Sequence, residues 1–391
     1  MQGLTPRVVF VDHVARLSGG EIALLRLLPA LANHVDVHVV LGEDGPLVAR
    51  LGEAGIATEI LPLASHVRDL RKESVRPGRV DVGAVAQLTP YVLRLRRRLR
   101  DLGADLVHTN SLKAALYGGL AGRLARVPVV WHVRDRIAPD YLPGAAVRFV
   151  RVASRILPSA VIANSEATLE TLPRLRRGQV VGSAVPDSVE AAPIRTPRDL
   201  GDVTVGIVGR IASWKGQHVF LHAFAEAFRG TAVRGRIVGN ALFGEDAYVE
   251  SLRRQVDSLG ISEQIEFRGF REDVWAELRE LDVLVHCSVV PEPFGQVVLE
   301  GMAAGLPVVA AAAGGPTEIV TNGVDGILTS PGDAGGLARV LRRLHDDPDL
   351  RARLGEAGHR RSGDFTPERS AERVLDVYSA VLERRQNRPS A

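Results

Sequence analysis

Short apolar runs rich in Val and Ile recur along the whole chain, each followed by an amphipathic stretch, and this rhythm admits few folds. Strands buried on both faces read as nearly continuous hydrophobic runs, and helices between them make successive strands parallel. The pattern predicts an α/β protein with helices on both faces of each sheet. In the first half the runs fall near residues 8–11, 35–41, 105–109, 128–133 and 160–163. In the second they fall near 203–208, 236–239, 264–268, 283–287, 307–311 and 326–329. Residues 185–202 between the halves carry Pro186, Pro193 and Pro197 with few apolar neighbours, which reads as an interdomain linker. A chain of 391 residues is long for one core and sufficient for two. The expected domains are 1–190 and 191–365, with a terminal helix over about 366–391 marked by Val374, Leu375, Val377, Tyr378 and Val381 at helical spacing.

Composition removes several classes of function. A formal net charge of +3 is too small to argue for nucleic acid as a partner. Cys287 is the single cysteine, which excludes an internal disulfide framework and any multi-cysteine metal site, and suits a reducing compartment. The first apolar run is much shorter than the core of an export signal, and no run approaches the ~20 residues of a membrane span. The expectation is a cytoplasmic protein.

In sheets of this kind ligands bind beyond the carboxyl ends of the strands, so the residues that follow each run are the place to look. In the first half these are Asp12-His13 with Ser18-Gly19-Gly20, then His108 to Ser111, His132-Val133-Arg134-Asp135, and Asn164-Ser165. In the second they are Gly209-Arg210 with Lys215, Gly239-Asn240, Arg268-Gly269-Phe270, Ser288 to Gly295, and Gly314-Gly315. Two lobes facing across a cleft would bring both sets together. Ser18, Asn110, Arg134 and Asp135 are candidates for contact with an acceptor.

Arg210 lies just past a strand, and Lys215, one of only three lysines, stands five residues on at the start of a helix. Two cations beside a helix N-terminus make a seat for a diphosphate, although two solvated loop residues would read the same way alone. Neither G-x-G-x-x-G nor G-x-x-x-x-G-K-[ST] is present here, so the dinucleotide and P-loop fingerprints are missing. In PEPFGQVVLEG, Pro291 and Pro293 pin a loop around Glu292, and a helix is predicted to begin near Gly295, where a missing side chain lets a ligand approach free N–H groups. Glu300 falls inside that helix, placed to accept hydrogen bonds from a ribose. An acid beside a helix start followed by an ordinary surface glutamate is the alternative. The D-x-D at Asp347-Pro-Asp349 reads as a turn and helix cap.

Taken together, G-R-x4-K at Gly209 to Lys215, E-x-F-G-x4-E at Glu292 to Glu300, the following Gly301-Met-Ala-Ala-Gly-Leu-Pro307 and Gly314-Gly315-Pro-Thr-Glu318 resemble glycosyltransferase family four, the retaining GT-B enzymes. The match is close over the second half and loose over the first. The resemblance implies a GT-B fold, two Rossmann-like domains with the terminal helix packed back on the N-terminal one, and transfer of a hexosyl group from a nucleoside-diphosphate sugar, UDP favoured and GDP second, to a hydroxyl acceptor. It implies that Arg210 and Lys215 hold the diphosphate, that Glu292 contacts sugar hydroxyls, and that Phe294, Gly295, Gln296 and Val297 offer backbone groups. It further implies that Glu300 binds the ribose and that Arg268, Gly269, Phe270 and Arg271 line the base pocket. In the first half, Gly19-Gly20 resembles the family's glycine loop beside the diphosphate, and His132 a histidine at the transferred sugar. His132 alone, after Trp131, would read as a packed strand-end histidine. Where relatives carry an Asn-Gly turn, this chain has Gly182-Ser-Ala-Val-Pro, so no role is transferred there.

No cofactor and no metal are expected, because the two cations can neutralise the diphosphate. The acceptor is open between a small molecule and a lipid-linked one. Residues 91–102 form an amphipathic helix with Leu88, Val92, Leu95, Leu99 and Leu102 on one face and arginines around the rest, either a sheet-covering helix or a weak peripheral contact at the inner membrane face. Residues 66–82 read as a mobile loop over the acceptor site. A nucleotide-sugar epimerase or hydrolase of the same fold, and a non-catalytic sugar-binding protein, are the alternative functions.

Overall fold

The computed structural model describes residues 5–64, 82–175, 177–186, 203–241 and 244–386. The loop expected over 66–82, except its last residue, and most of the linker lie outside them. The chain forms two compact units, Met1–Ala184 with Pro367–Ala391, and Val185–Thr366.

The first unit is built on seven parallel strands, β1 (Arg7–Asp12), β2 (Asp36–Leu41), β3 (Ala57–Ile60), β4 (Leu106–Thr109), β5 (Val129–Val133), β6 (Ala160–Ala163) and β7 (Gly178–Val180), in the order β3-β2-β1-β4-β5-β6-β7. Val8 to Val11 pair with Val37 to Val40 on one side and with Leu106 to Thr109 on the other, so β1 is central. Its apolar run is buried without a break, as the lack of alternation in the sequence requires. The second unit has six parallel strands, β8 (Thr204–Val208), β9 (Arg234–Val238), β10 (Ile265–Gly269), β11 (Val283–His286), β12 (Val308–Ala311) and β13 (Ile327–Thr329), in the order β10-β9-β8-β11-β12-β13. In each sheet the strand order reverses once, between β1 and β4 and between β8 and β11, and such switch points are where sheets of this kind bind ligands. Two strands, β3 and β7, have no counterpart in the sequence reading. Both are short edge strands without the continuous apolar run of a central one.

The helix Pro367–Gln386 belongs to the first unit. Its Val374, Val377, Tyr378 and Val381 are buried in one cluster with Leu24, Leu28 and Leu31 of the helix Gly19–Ala32, and each fully buried aliphatic side chain contributes about 1.5–3 kcal/mol. On the other face of the sheet the helix Val82–Asp101 buries Val92, Leu95 and Leu99. Arg98 of that helix donates to both carboxylate oxygens of Glu59 at 2.8 and 2.9 Å, and Arg94 to the Pro62 carbonyl at 2.9 Å. These contacts make it a sheet-covering helix with two of its arginines tied to the β3 edge.

Candidate active site

In the second unit the strand ends are knitted together by main chain. Gly209, Gly239 and Gly269 follow or end β8, β9 and β10, all with positive φ (138°, 137° and 68°). The Gly209 N–H donates to Val238 O at 2.9 Å, and the Gly239 N–H to Gly269 O at 2.8 Å. A Cβ on Gly239 would lie 2.0 Å from Gly209 O, so this rim admits no side chain there.

Arg210 directly follows Gly209, and a 3₁₀ turn over Ser213–Lys215 presents Lys215. Trp214 lies between them, with the Arg210 guanidinium 5.4 Å and the Lys215 ammonium 4.4 Å from its ring centre. Gly216 (φ 75°) presses against the residue that follows β11, where a Cβ would stand 1.9 Å from Cys287 O. This contact brings the turn to the Glu292 loop. Lys215 Nζ donates to Glu292 Oε1 at 2.7 Å and Oε2 at 2.8 Å, Ser288 Oγ to Oε2 at 2.9 Å, and His286 Nε2 lies 3.4 Å from the same oxygen. His286 Nδ1 accepts the Ala311 N–H at 3.4 Å, which leaves the ring proton on Nε2, facing Glu292. Burial alone would push the Glu292 carboxyl up; the charge of Lys215 and the hydrogen bond from His286 outweigh it and hold the group well below the usual carboxylate range.

The Glu292 loop in turn rests on Gly314-Gly315. Glu292 O accepts the Gly315 N–H at 2.9 Å, and a Cβ at Gly314 would meet that oxygen at 2.2 Å. Gly295 (φ 97°) caps the helix Gln296–Ala303, so the N–H groups of Gln296 and Val297 lie outside the helix's own ladder. Glu300, on the same helix, is buried and 3.5 Å from Gln296 Nε2. Arg268 and Arg271 are not open cations. Arg268 reaches both oxygens of the buried Glu277 at 3.1 Å, and Arg271 lies 3.2 Å from it. Beside them Phe270 is 65% exposed. The E-x-F-G block shows neither Glu277, which the packing of its helix brings to Arg268, nor the His286 and Ser288 partners of Glu292, which lie upstream of the block at the end of β11.

The first unit gathers a polar cluster at the ends of β1, β4 and β5. Asn110 Nδ2 donates to Asp12 Oδ2 at 2.7 Å, and Arg134 Nε donates to Asn110 Oδ1 at 2.7 Å. Gly20 lies alongside, with room for a Cβ only at contact distance, 3.4 Å, from Arg134. Ser18 donates to the buried Glu21, a residue outside the sequence-predicted set although S-x-x-E is the spacing of a capping box. Burial and the neighbouring charge of Asp12 push Glu21 up to about 7. Asp135 accepts the Tyr141 hydroxyl, and its charge also acts on Arg134.

His132 is buried within this cluster, and its neighbours fix its tautomer. Arg134 has only donors, and its Nη2 lies 3.5 Å from His132 Nδ1, so that nitrogen accepts. His108 Nε2–H then donates to it across 3.1 Å, and His108 Nδ1 accepts the Tyr378 hydroxyl at 2.7 Å. The His132 proton is thereby placed on Nε2, a buried atom with no partner among the described residues. Burial, reinforced by the Arg134 charge, lowers His108 to about 3 and His132 well below its ordinary value, so both rings are neutral at neutral pH. Tyr378 comes from the last helix and had no signal in the sequence beyond its apolar spacing.

Both units resemble known proteins along most of their length. The family pattern described as glycosyl transferases group 1 matches residues 189–361, and that of Glycosyltransferase Family 4 matches residues 17–181. A 2-deoxystreptamine glucosyltransferase of Streptomyces kanamyceticus is 30% identical over 76% of this chain and 82% of its own. The lipopolysaccharide core biosynthesis glycosyltransferase LpsE of Rhizobium meliloti is 33% identical over 50% of this chain, which spans about half of that relative, 53%. Among solved structures, Anabaena Alr3699/HepE in complex with UDP-glucose superposes with a TM-score of 0.82 at 28% identity, covering 96% of this chain and 99% of that one. With consecutive family patterns over its two halves and a relative alike along most of both chains, the protein belongs to glycosyltransferase family 4, with the GT-B fold.

Proposed function

We propose that this glycosyltransferase is a retaining hexosyltransferase that uses a nucleoside-diphosphate sugar, UDP before GDP, and a hydroxyl acceptor, either small or lipid-linked, without a divalent metal. The observation that carries the reading is the pair Arg210 and Lys215 held at one strand end by Trp214, with Glu292 beside Lys215. The second unit takes the donor and the first the acceptor. In front-face transfer the bond from the anomeric carbon to the diphosphate oxygen breaks, the acceptor oxygen bonds on the same face, and its proton passes to a phosphate oxygen of the leaving group. The protein's part is to stabilise the charge that develops on the diphosphate and to orient both substrates. Arg210 and Lys215 do the first. Glu292, ionised throughout the working range, and His132, offering a neutral Nε2–H, hold sugar hydroxyls. Glu300 takes the ribose, and exposed Phe270 offers a face to the base. The UDP-glucose in the Anabaena complex supports the choice of donor.

Thermal unfolding with UDP, GDP, ADP and NAD, each with chelator, tests the donor site. A ligand at a hundred times its dissociation constant adds about 2.7 kcal/mol, and UDP should raise the midpoint without metal. Arg210→Ala should lower turnover by on the order of 10²-fold, the scale of one preorganised charge-stabilising group. Lys215→Ala also strips Glu292 of its counter-ion, which costs about 3–5 kcal/mol for a buried pair, so it belongs with Glu292→Gln in one double variant. A shift with NAD alone, or near wild-type turnover in Arg210→Ala, would sink the assignment, and turnover of donor without acceptor would point to a hydrolase.

A further inference from the structure

We propose that the first unit docks on an anionic lipid surface through a groove at the end of its sheet opposite the cluster described above. The groove, of about 1080 Å³, is lined by the starts of β5 and β6, at Val129 and Ala160, and by seven arginines. Three of these are engaged by backbone: Arg123 by the carbonyls of Ile156 and Leu157, Arg177 by Ser159 O and Arg385 by Asp105 O. The other four, Arg126, Arg155, Arg174 and Arg384, are exposed and have no ion-pair partner among the described residues. Arg126 adds an independent sign. It is the one non-glycine residue with positive φ (63°) among the described residues, and it caps the helix Leu112–Ala125 at a position that glycine fills without strain. The chain thus keeps a cation in a conformation that disfavours it.

An apolar surface runs up to the same groove. The helix Gly144–Ile156 exposes Phe149, Val152 and Ile156 at 61%, 57% and 54%, spaced along one stripe, and the helix Leu112–Ala125 exposes Leu120 and Leu124. Arg123, held by the Ile156 and Leu157 carbonyls, joins the two helices at the groove. Large apolar side chains in water beside unpaired cations match the interface of a bilayer, where the acyl boundary takes the first and lipid phosphates the second. A nucleic acid would satisfy the arginines and leave the stripe wet. A second copy joined through the stripe would turn two arginine grooves toward each other, which like charge opposes. The occupant is therefore an anionic phospholipid surface, a reading that does not rest on the proposed donor.

Co-sedimentation of the full chain with phosphatidylcholine vesicles, with and without phosphatidylglycerol, tests it. Binding is expected only with phosphatidylglycerol and should weaken with salt. Arg155→Ala and Arg384→Ala should each lower partitioning about fivefold. Phe149→Ser with Ile156→Ser, both on the surface, should abolish it. Arg126→Gly relieves the backbone, so its fold is secure, and it too should bind vesicles about fivefold less. The UDP-induced shift should be the same in every variant, which separates this proposal from the donor reading. Equal binding to neutral vesicles, or none to either, would overturn it. So would undiminished binding after Phe149→Ser with Ile156→Ser, which would leave the apolar stripe no part in docking, or a dimer abolished by the same pair.

Discussion

Two carboxylates in the first unit's cluster are driven in opposite directions. Burial would raise Asp12, but His13 and Asn110 outweigh it and hold Asp12 below its ordinary value, whereas burial and the charge of Asp12 lift Glu21 to about 7. For Glu21 the folded value exceeds the unfolded 4.5, so the folded state holds the proton more tightly. Its contribution to stability is fully present below about pH 4.5 and is lost as pH rises through about 7. Glu21→Gln should therefore stabilise the first unit at about pH 8 by up to roughly 3 kcal/mol and change little near pH 4, as read by denaturant unfolding at both. An equal effect at the two pH values would remove the assigned shift. At this scale the sequence was partly legible. Glu292, Lys215 and His132 stand in recognisable contexts, but Lys215 and Glu292 are far apart in sequence and nothing local shows that they pair. Glu21 shows only its capping spacing, since its burial comes from the packing of its helix on the sheet.

Elements explain what was readable and what was not. Central strands announce themselves by unbroken apolar runs, and β1, β5 and β11 fall where those runs predict. β3 and β7 lie at edges, where half-exposed faces remove the signal. The glycines of the rim were visible as residues, yet their need for positive φ and backbone contact appears only when β8, β9 and β10 are side by side. The last helix was legible as amphipathic, but not the hydroxyl it delivers to His108. Tyr378→Phe keeps the packing and removes that hydroxyl, freeing His108 and His132 to change tautomer. Turnover should fall about fivefold, the scale of one hydrogen bond, with KM for the donor unchanged. A lowered melting point with intact turnover would make Tyr378 structural only.

At the scale of the molecule, the two α/β units follow from the rhythm of the sequence and the proline-marked boundary, whereas the return of the terminal helix was implied only by the family resemblance. The family resemblance rests mainly on motifs of the second unit, because the first carries its polar groups singly at separate strand ends. The units differ in continuity: Val185–Thr366 is one stretch of chain, while the first unit needs Pro367–Ala391 to cover one face of its sheet. Residues 185–366 alone should unfold cooperatively and keep the UDP-induced shift. Residues 1–184 alone should expose the Leu24, Leu28 and Leu31 face and aggregate until a peptide of residues 367–386 is added, as light scattering would show. If 1–184 folds unaided, the helix is an accessory. The same layout has a consequence for biosynthesis. A ribosome makes the first unit's sheet early but its covering helix late, so the second unit can finish folding while the first still waits. The half of the enzyme made first is the half completed last.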